Sequence, residues 1–192
     1  MLGVALEGGG ARGAFHVGAI KALLEEGYEI DGVVGTSIGA FNAAMIAQGD
    51  FEKCFEMWCN ISPKQLFDIE DRHMANVLTR NINLKTISYF SSEAKKIISN
   101  RGIDSENLRK VVDDLVDEDK LRKSSMDFGL VTVELGSLSP IELFKEDIPK
   151  GKLKDYIMAS ARYPGLKMDP LDGKTYLDGG IYDNCPVNLF TK

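Results

Sequence analysis

The first fifty residues alternate between short apolar runs and segments with helical periodicity, joined by glycine-rich turns. Residues 2–6 form an apolar run that ends at the glycines of 8–13, and 14–26 then carry apolar side chains at helical spacing. Residues 30–35 form a second apolar run, which leads through a Thr-Ser-Ile-Gly turn into an alanine-rich segment ending at Gln48. This repeated order predicts a parallel sheet with crossover helices. We therefore expect an α/β fold, a three-layer α/β/α arrangement around a mostly parallel central sheet.

The rest of the chain predicts further elements of the same domain. Apolar spacing predicts four helices, at 51–60, 91–100, 105–116 and 152–162. Asp50 is a candidate N-cap for the first of them. Short apolar runs predict strands at 126–135 and 174–177. No internal repeat, linker or low-complexity segment interrupts the sequence, so we expect one domain over residues 1–192.

The charge balance argues against one class of partner. The 192 residues contain 23 Lys and Arg against 29 Asp and Glu, a net charge of −6. A protein of this charge has no general attraction for polyphosphates, so we expect no nucleic-acid partner. The same balance argues against a polybasic membrane anchor, but it leaves room for transient, weak contact with a membrane surface.

Targeting and metal-binding signals are not evident in the sequence. It contains no run of 18 or more apolar residues and no basic N-terminal segment of a signal peptide, so we expect a cytoplasmic location. Cys54, Cys59 and Cys185 fit neither a disulfide framework nor a CxxC metal pattern. His16 and His73 are too few for an ordinary zinc site. We therefore predict neither a metal nor a cofactor.

The most specific pattern is Gly35-Thr36-Ser37-Ile38-Gly39, a G-x-S-x-G sequence between a predicted strand and a predicted helix. A nucleophile at such a turn has a strained backbone, and its neighbours two residues away must be small. The N-terminus of the following helix favours developing negative charge. Ser37 is therefore the candidate nucleophile, and the other four residues form its elbow. A glycine- and serine-rich turn without chemistry is the alternative.

The glycine-rich segment after the first predicted strand has two interpretations. Its backbone N–H groups can converge on an anion as an oxyanion hole; the residues concerned are Gly8, Gly9, Gly10, Ala11, Arg12 and Gly13. Its spacing also matches the dinucleotide fingerprint, which needs an acidic residue about 20 residues further on. Glu29 and Asp31 lie near that distance, but Asp31 is at the start of the second predicted strand, whereas the ribose-binding acid belongs at the carboxyl end. We therefore favour the oxyanion hole.

Asp178-Gly179-Gly180, after the predicted strand 174–177, contains the candidate base. On its own, a plain β-turn is the simpler interpretation, because Asp-Gly is a common turn pair. However, an α/β-hydrolase places its histidine after the acid, and no histidine follows His73. A serine nucleophile without a histidine needs another base, and a carboxylate is the simplest candidate. A free Asp, with a pKa of about 3.9, is a poor base at neutral pH, so partial burial of Asp178 would have to raise its pKa.

In this order and context, the three motifs resemble those of the patatin-like phospholipase family, whose catalytic core is shared with cytosolic phospholipase A2. The resemblance spans nearly the whole chain and includes Pro164-Gly165 and Asp183-Asn184-Cys185-Pro186. It implies a patatin-like fold and a Ser37–Asp178 dyad, with the 8–13 loop as the oxyanion hole. The implied activity is that of a serine lipid acyl hydrolase, of phospholipase A or lysophospholipase type, which cleaves a lipid or other ester through an acyl-enzyme.

Three alternatives stay open at this point. They are a soluble carboxylesterase for short acyl chains, a nucleotide-binding module that uses the 8–13 loop, and an inactive patatin-like scaffold that binds lipid. The family's chains usually continue further, whereas this sequence ends at Lys192. A compact member of the family and one lacking C-terminal elements are both consistent with this length.

The remaining candidates have simpler explanations. Arg12 can bind a substrate phosphate or carboxylate, or it can hold its own loop in place. His16 falls on the first predicted helix, and we expect it to be structural. Five large apolar residues are candidates for an acyl pocket, although core packing is the better explanation for most of them: Met45, Phe51, Phe55, Met57 and Trp58.

Overall fold

The computed structural model describes residues 1–61, 105–163, 166 and 170–191. Within them, one sheet contains the strands β1 (Gly3–Leu6), β2 (Gly32–Thr36), β3 (Asp127–Glu134), β4 (Ser139–Phe144) and β5 (Tyr176–Asp178). β1, β2 and β3 are parallel neighbours, and β4 and β5 both pair with β3 in the antiparallel direction. The predicted α/β fold is confirmed, and its parallel strands are the first three in chain order.

In the described part of the chain, all but one of the α-helices lie where the sequence predicts them. The α-helices of the described residues are α1 (Gly13–Glu25), α2 (Ile38–Ala47), α3 (Phe51–Asn60), α4 (Glu106–Leu115), α5 (Glu118–Lys123) and α6 (Leu153–Ser160). Short 3-10 helices cover Gly10–Arg12, Gly179–Ile181 and Val187–Thr191. α1 ends because Gly27 adopts a left-handed φ of 81°, which lets its N–H and that of Tyr28 bond the carbonyls of Leu24 and Leu23.

The main apolar core lies on one face of the sheet. Because side chains alternate along a strand, Val33, Phe128 and Leu130 face this core, where they meet residues from all six α-helices named above. Val34 and Val131 belong to a second cluster, which includes Leu189 of the C-terminal 3-10 helix. In the part of the chain that the structure describes, this short helix packs on the second face of the sheet. The predicted three-layer arrangement has its other helical layer on that face.

Two strands meet end to end along one edge of β3. β2 pairs with the first part of β3 and ends with Thr36 opposite Val131. β5 runs the other way along the second part and ends with Asp178 opposite Thr132. β4 occupies the other edge of β3 at Thr132, so β2 and β5 share an edge. This topology makes Asp178 a neighbour of Ser37, which follows Thr36 in the chain.

Asp50 occupies the predicted N-cap position of α3, but its carboxylate accepts no hydrogen bond from the helix backbone. Instead it bonds the ammonium groups of Lys53 at 2.9 Å and Lys120 at 3.0 Å and the side-chain amide of Gln48 at 2.8 Å. These contacts lower the pKa of Asp50 to about 2, with the bond from Lys53 as the largest cause and burial opposing the shift. Asp50 therefore links α3 to α5 through charge and does not cap a helix.

The structure also corrects the sequence analysis in three places. β4 was not predicted, since it is a half-exposed antiparallel strand with Pro140 as its second residue, a pattern without a clear apolar run. α5 has only six residues, too few to show helical periodicity. Asp178 is the last residue of β5 and not part of the turn after it. The predicted helix 91–100, His73 and Pro164-Gly165 lie outside the described residues.

Candidate active site

Ser37 lies between β2 and α2 in a backbone conformation that few residues other than glycine adopt. Its φ is 58° and its ψ is −127°, and a conformation of this kind costs about 1–3 kcal/mol. Gly35 and Gly39 leave the space that the turn needs. A Cβ on Gly35 would overlap the carbonyl group of Gly39, and a Cβ on Gly39 would overlap the carbonyl oxygen of Leu6. A larger residue at either position would therefore force the turn apart.

Asp178, the last residue of β5, lies beside Ser37 and is only 6% exposed. The N–H of Gly180 donates a hydrogen bond of 2.8 Å to Oδ1 of its carboxylate. Burial raises the pKa of Asp178 above its ordinary value, while the Ser37 hydroxyl and the bond from Gly180 oppose the rise. A hydroxyl beside a buried carboxylate forms a pair between which a proton can move.

The glycine-rich loop after β1 approaches Ser37 closely. A Cβ on Gly8 would lie 3.2 Å from the Cβ of Ser37. The N–H groups of Gly8, Arg12 and Gly13 already donate to backbone carbonyls of the protein. In the described part of the chain, this leaves Gly9, Gly10 and Ala11 as the loop's available N–H donors. Gly10 and Ala11 begin the 3-10 helix Gly10–Arg12, and the first N–H groups of a helix have no partner within it. Three of the six predicted oxyanion-hole residues can therefore offer an N–H to an anion.

Asn184 connects this loop to the turn after Asp178, a role that the sequence analysis did not assign. Its backbone carbonyl accepts from the N–H of Gly8 at 2.9 Å, and its Nδ2 donates to the carbonyl of Gly8 at 3.3 Å. A Cβ on Gly8 or on Gly180 would lie 2.6 or 2.8 Å from Oδ1 of Asn184. Asn184 therefore lies between the two glycine motifs and packs closely against both.

Arg12 lies against its own loop. Its side chain is 71% exposed, its Nη1 is 4.0 Å from Oε1 of Glu7, and its Nε lies 2.8 Å from where a Cβ of Gly9 would be. An ion pair as exposed and as long as this contributes little to stability. These contacts favour the loop-holding explanation, and the exposure leaves the guanidinium accessible to an anion.

His16 is buried in α1, within a polar network that centres on Asn42. Nδ2 of Asn42 lies 3.3 Å from Nδ1 of His16 and donates to the carbonyl of Gly13 at 3.0 Å. Its Oδ1 accepts from Nε1 of Trp58 at 2.8 Å and from Sγ of Cys54 at 3.4 Å. Burial lowers the pKa of His16. These contacts connect α1, α2 and α3, and they agree with the expected structural role of His16.

The five candidates for an acyl pocket pack in or against the main core. Met45 is fully buried, and the other four are partly buried around it. The rings of Phe51 and Phe55 have centroids 6.2 Å apart, and the ring of Trp58 lies over Gly13. These contacts fit the core-packing explanation.

Asp31, the acid of the dinucleotide interpretation, lies at the opposite end of the strands from the glycine loop. Its carboxylate accepts from the N–H of Leu2 at 2.5 Å, before β1 begins. The glycine loop and Ser37 follow the carboxyl ends of β1 and β2, and β1 pairs in parallel with β2. A nucleotide held by the loop would therefore lack its ribose contact at Asp31.

None of the helices among the described residues combines the length and the apolar character that crossing a membrane requires. The same residues contain no cluster of three or more metal-ligating side chains.

Together, the strained turn at the end of β2, the adjoining buried carboxylate and the glycine loop after β1 define an α/β protein with a serine on a strained strand-to-helix turn. A family model for the patatin-like phospholipases matches residues 4–191. The chain belongs to the patatin-like phospholipase family.

Its relatives are longer proteins. The chain is 31% identical to patatin-like phospholipase domain-containing protein 6 of Homo sapiens, over 98% of this chain and 12% of that protein. It is 28% identical to an uncharacterised NTE family protein of Mycobacterium tuberculosis, over 96% of this chain and 44% of the relative. The crystal structure of VipD from Legionella pneumophila shares the fold, with a TM-score of 0.61 at 18% identity, over 96% of this chain and 47% of that one. The chain thus spans less than half the length of each of these proteins.

Proposed function

We propose that the chain is a serine lipid acyl hydrolase of the phospholipase A or lysophospholipase type. The observation that carries this proposal is the juxtaposition of Ser37, on its strained turn at the end of β2, with the buried carboxylate of Asp178 at the end of β5. Membership of the patatin-like phospholipase family supports a lipid ester as the substrate.

In the first half-reaction, Oγ of Ser37 attacks the ester carbonyl carbon while Asp178 accepts the hydroxyl proton. The tetrahedral intermediate collapses and expels the alcohol, which takes the proton from Asp178 and leaves an acyl-enzyme on Ser37. In the second half-reaction, Asp178 accepts a proton from the attacking water. The water oxygen bonds to the acyl carbon, the bond between that carbon and Oγ of Ser37 breaks, and the fatty acid leaves while Asp178 returns the proton to Ser37.

Stabilisation of the tetrahedral oxyanion is assigned to the glycine loop. The N–H groups of Gly9, Gly10 and Ala11 are its available donors, and the loop lies beside Ser37. Oxyanion-hole donors act on charge that develops in the transition state, and loss of one typically lowers kcat about 10²–10³-fold.

The raised pKa of Asp178 suits the role of base. An ordinary aspartate has a pKa about three units below neutral pH, which makes it a weak proton acceptor at pH 7. Burial brings the pKa of Asp178 closer to neutral pH. The same burial that holds the carboxylate beside Ser37 therefore also makes it a better base.

A fluorophosphonate probe tests the nucleophile, with the modified residue mapped by mass spectrometry. We expect the label on Ser37 and no label in Ser37→Ala. The matched control, Ser137→Ala, removes an exposed serine from the turn between β3 and β4. A label elsewhere, or unchanged hydrolysis by a folded Ser37→Ala, would refute the assignment.

Three substrates test the reaction class: vesicles of phosphatidylcholine, lysophosphatidylcholine, and p-nitrophenyl butyrate. Release of fatty acid from either lipid, dependent on Ser37, is the expected result. Hydrolysis of p-nitrophenyl butyrate alone would replace the lipid assignment with a short-chain carboxylesterase. Lipid binding without any turnover would favour the inactive scaffold.

A further inference from the structure

The end of α6 and the residues directly after it accept hydrogen bonds from the backbone N–H groups of both Ser37 and Asp178. Oγ of Ser160, the last residue of α6, accepts from the N–H of Ser37 at 2.9 Å. The carbonyl of Arg162, two residues further on, accepts from the N–H of Asp178 at 2.8 Å. One short segment, distant in sequence from both residues, therefore contacts the two partners of the proposed dyad.

The Ser160 hydroxyl also bonds the strand that lies between them. It donates to the carbonyl oxygen of Val131 at 2.6 Å. Val131 is opposite Thr36 in the β2–β3 register. Gly179 packs so closely on the same carbonyl that a Cβ there would overlap it. The Ser160 hydroxyl thus lies at the point where β2 and β5 meet end to end.

The N–H of Ser37 needs this partner. Ser37 follows the last residue of β2 and precedes α2, so neither the strand ladder nor the helix supplies an acceptor for its N–H. A buried N–H without an acceptor is costly, and a strained conformation persists only where the surroundings hold it. Ser160 is fully buried and uses its hydroxyl both as acceptor and as donor.

We propose that Ser160 is a positioning residue for the nucleophile. Its hydroxyl holds the peptide of Ser37 against β3, so that Oγ of Ser37 stays within hydrogen-bond reach of Asp178. Ser160 acts through Ser37, and its own hydroxyl is occupied by the protein and not directed at a substrate. This inference rests on the proposed function, because it assigns Ser160 a part in that same reaction.

Ser160→Ala removes the hydroxyl without adding bulk. Misplacement of a reacting group by about 1 Å can cost about 10²-fold in rate, so we expect kcat for ester hydrolysis to fall about 10–100-fold. KM should change by less than about 3-fold, because substrate binding does not involve the hydroxyl. Ser160→Cys, with a weaker donor and acceptor of similar size, should give an intermediate kcat.

Ile157→Val is the matched control. Ile157 is fully buried in α6, one turn before Ser160, and the substitution removes one methyl group and leaves the hydroxyl in place. It should lower Tm and keep kcat. An equal fall in kcat for Ile157→Val, or a kcat for folded Ser160→Ala within 2-fold of wild type, would overturn the proposal. If Ser160→Ala does not fold, Ser160→Cys decides in the same way.

Amide hydrogen exchange gives a readout that does not depend on activity. We expect the N–H of Ser37 to exchange at least 10-fold faster in Ser160→Ala than in wild type, and at the wild-type rate in Ile157→Val. Unchanged exchange in Ser160→Ala would overturn the proposal. Absence of turnover and of Ser37 labelling in wild type would instead refute the proposed function, and the exchange measurement keeps these two failures apart.

Discussion

The strained backbone at Ser37 should lower the free energy of unfolding of the protein. A comparison of two substitutions at this position measures the size of this effect. Ser37→Gly and Ser37→Ala both lose the hydroxyl and its interaction with Asp178, so their difference isolates the backbone. A non-glycine residue at φ 58° costs about 1–3 kcal/mol, whereas glycine costs about 0.5–1 kcal/mol in conformational entropy relative to alanine. Ser37→Gly should therefore be the more stable variant by about 1 kcal/mol, or about 2–4 °C in Tm.

Urea unfolding followed by circular dichroism measures this difference, provided that both variants share one m value. The same pair of substitutions at Ser139 is the control, because this exposed residue of β4 has no positive φ. There the order should reverse, with glycine less stable than alanine by about 0.5–1 kcal/mol. If Ser37→Gly is no more stable than Ser37→Ala, the turn is not strained and the reasoning is wrong.

Four further predictions test the charges and the polar network. Asp178→Asn keeps the shape of the side chain but removes its basicity, so kcat should fall about 10²–10⁴-fold while Asp114→Asn, an exposed control on α4, keeps it. Wild-type kcat/KM should fall as pH drops through the raised pKa of Asp178, since protonation removes the base; a pH–rate profile without this acidic limb would contradict the assignment. Asn42→Ala leaves buried partners unpaired and should lower the free energy of unfolding by about 2–4 kcal/mol in urea titrations; a loss below about 1 kcal/mol would show that the network is not stabilising. Because the pKa of Asp50 is lowered from 3.8 to about 2, its contribution to stability is present above 3.8 and is lost as pH falls through 2. The stability difference between wild type and Asp50→Asn should thus shrink over that interval, and a constant difference down to pH 2 would refute it.

Local patterns predicted the first half of the fold well. Apolar runs, helical spacing and glycines at turns are properties of neighbouring residues, so β1, α1, β2 and α2 could be placed to within a few residues. The strand-to-helix turn at Ser37 could also be predicted from neighbouring residues, because the small residues that it requires lie two positions before and after Ser37. β4 and α5 were missed, since a half-exposed edge strand and a six-residue helix carry too little periodicity.

The sequence by itself determined which residue types each motif contains: a serine between glycines, an aspartate before glycines, and a loop rich in glycine. Only the tertiary structure decided how they meet. Asp178 reaches Ser37 because β5 ends on β3 at the residue next to the one where β2 ends. Ser160 is 123 positions from Ser37 and Asn184 is 176 from Gly8. Hydrogen bonds between a side chain and a distant backbone group leave no periodic trace in a sequence, so these positioning contacts became visible only in the folded chain.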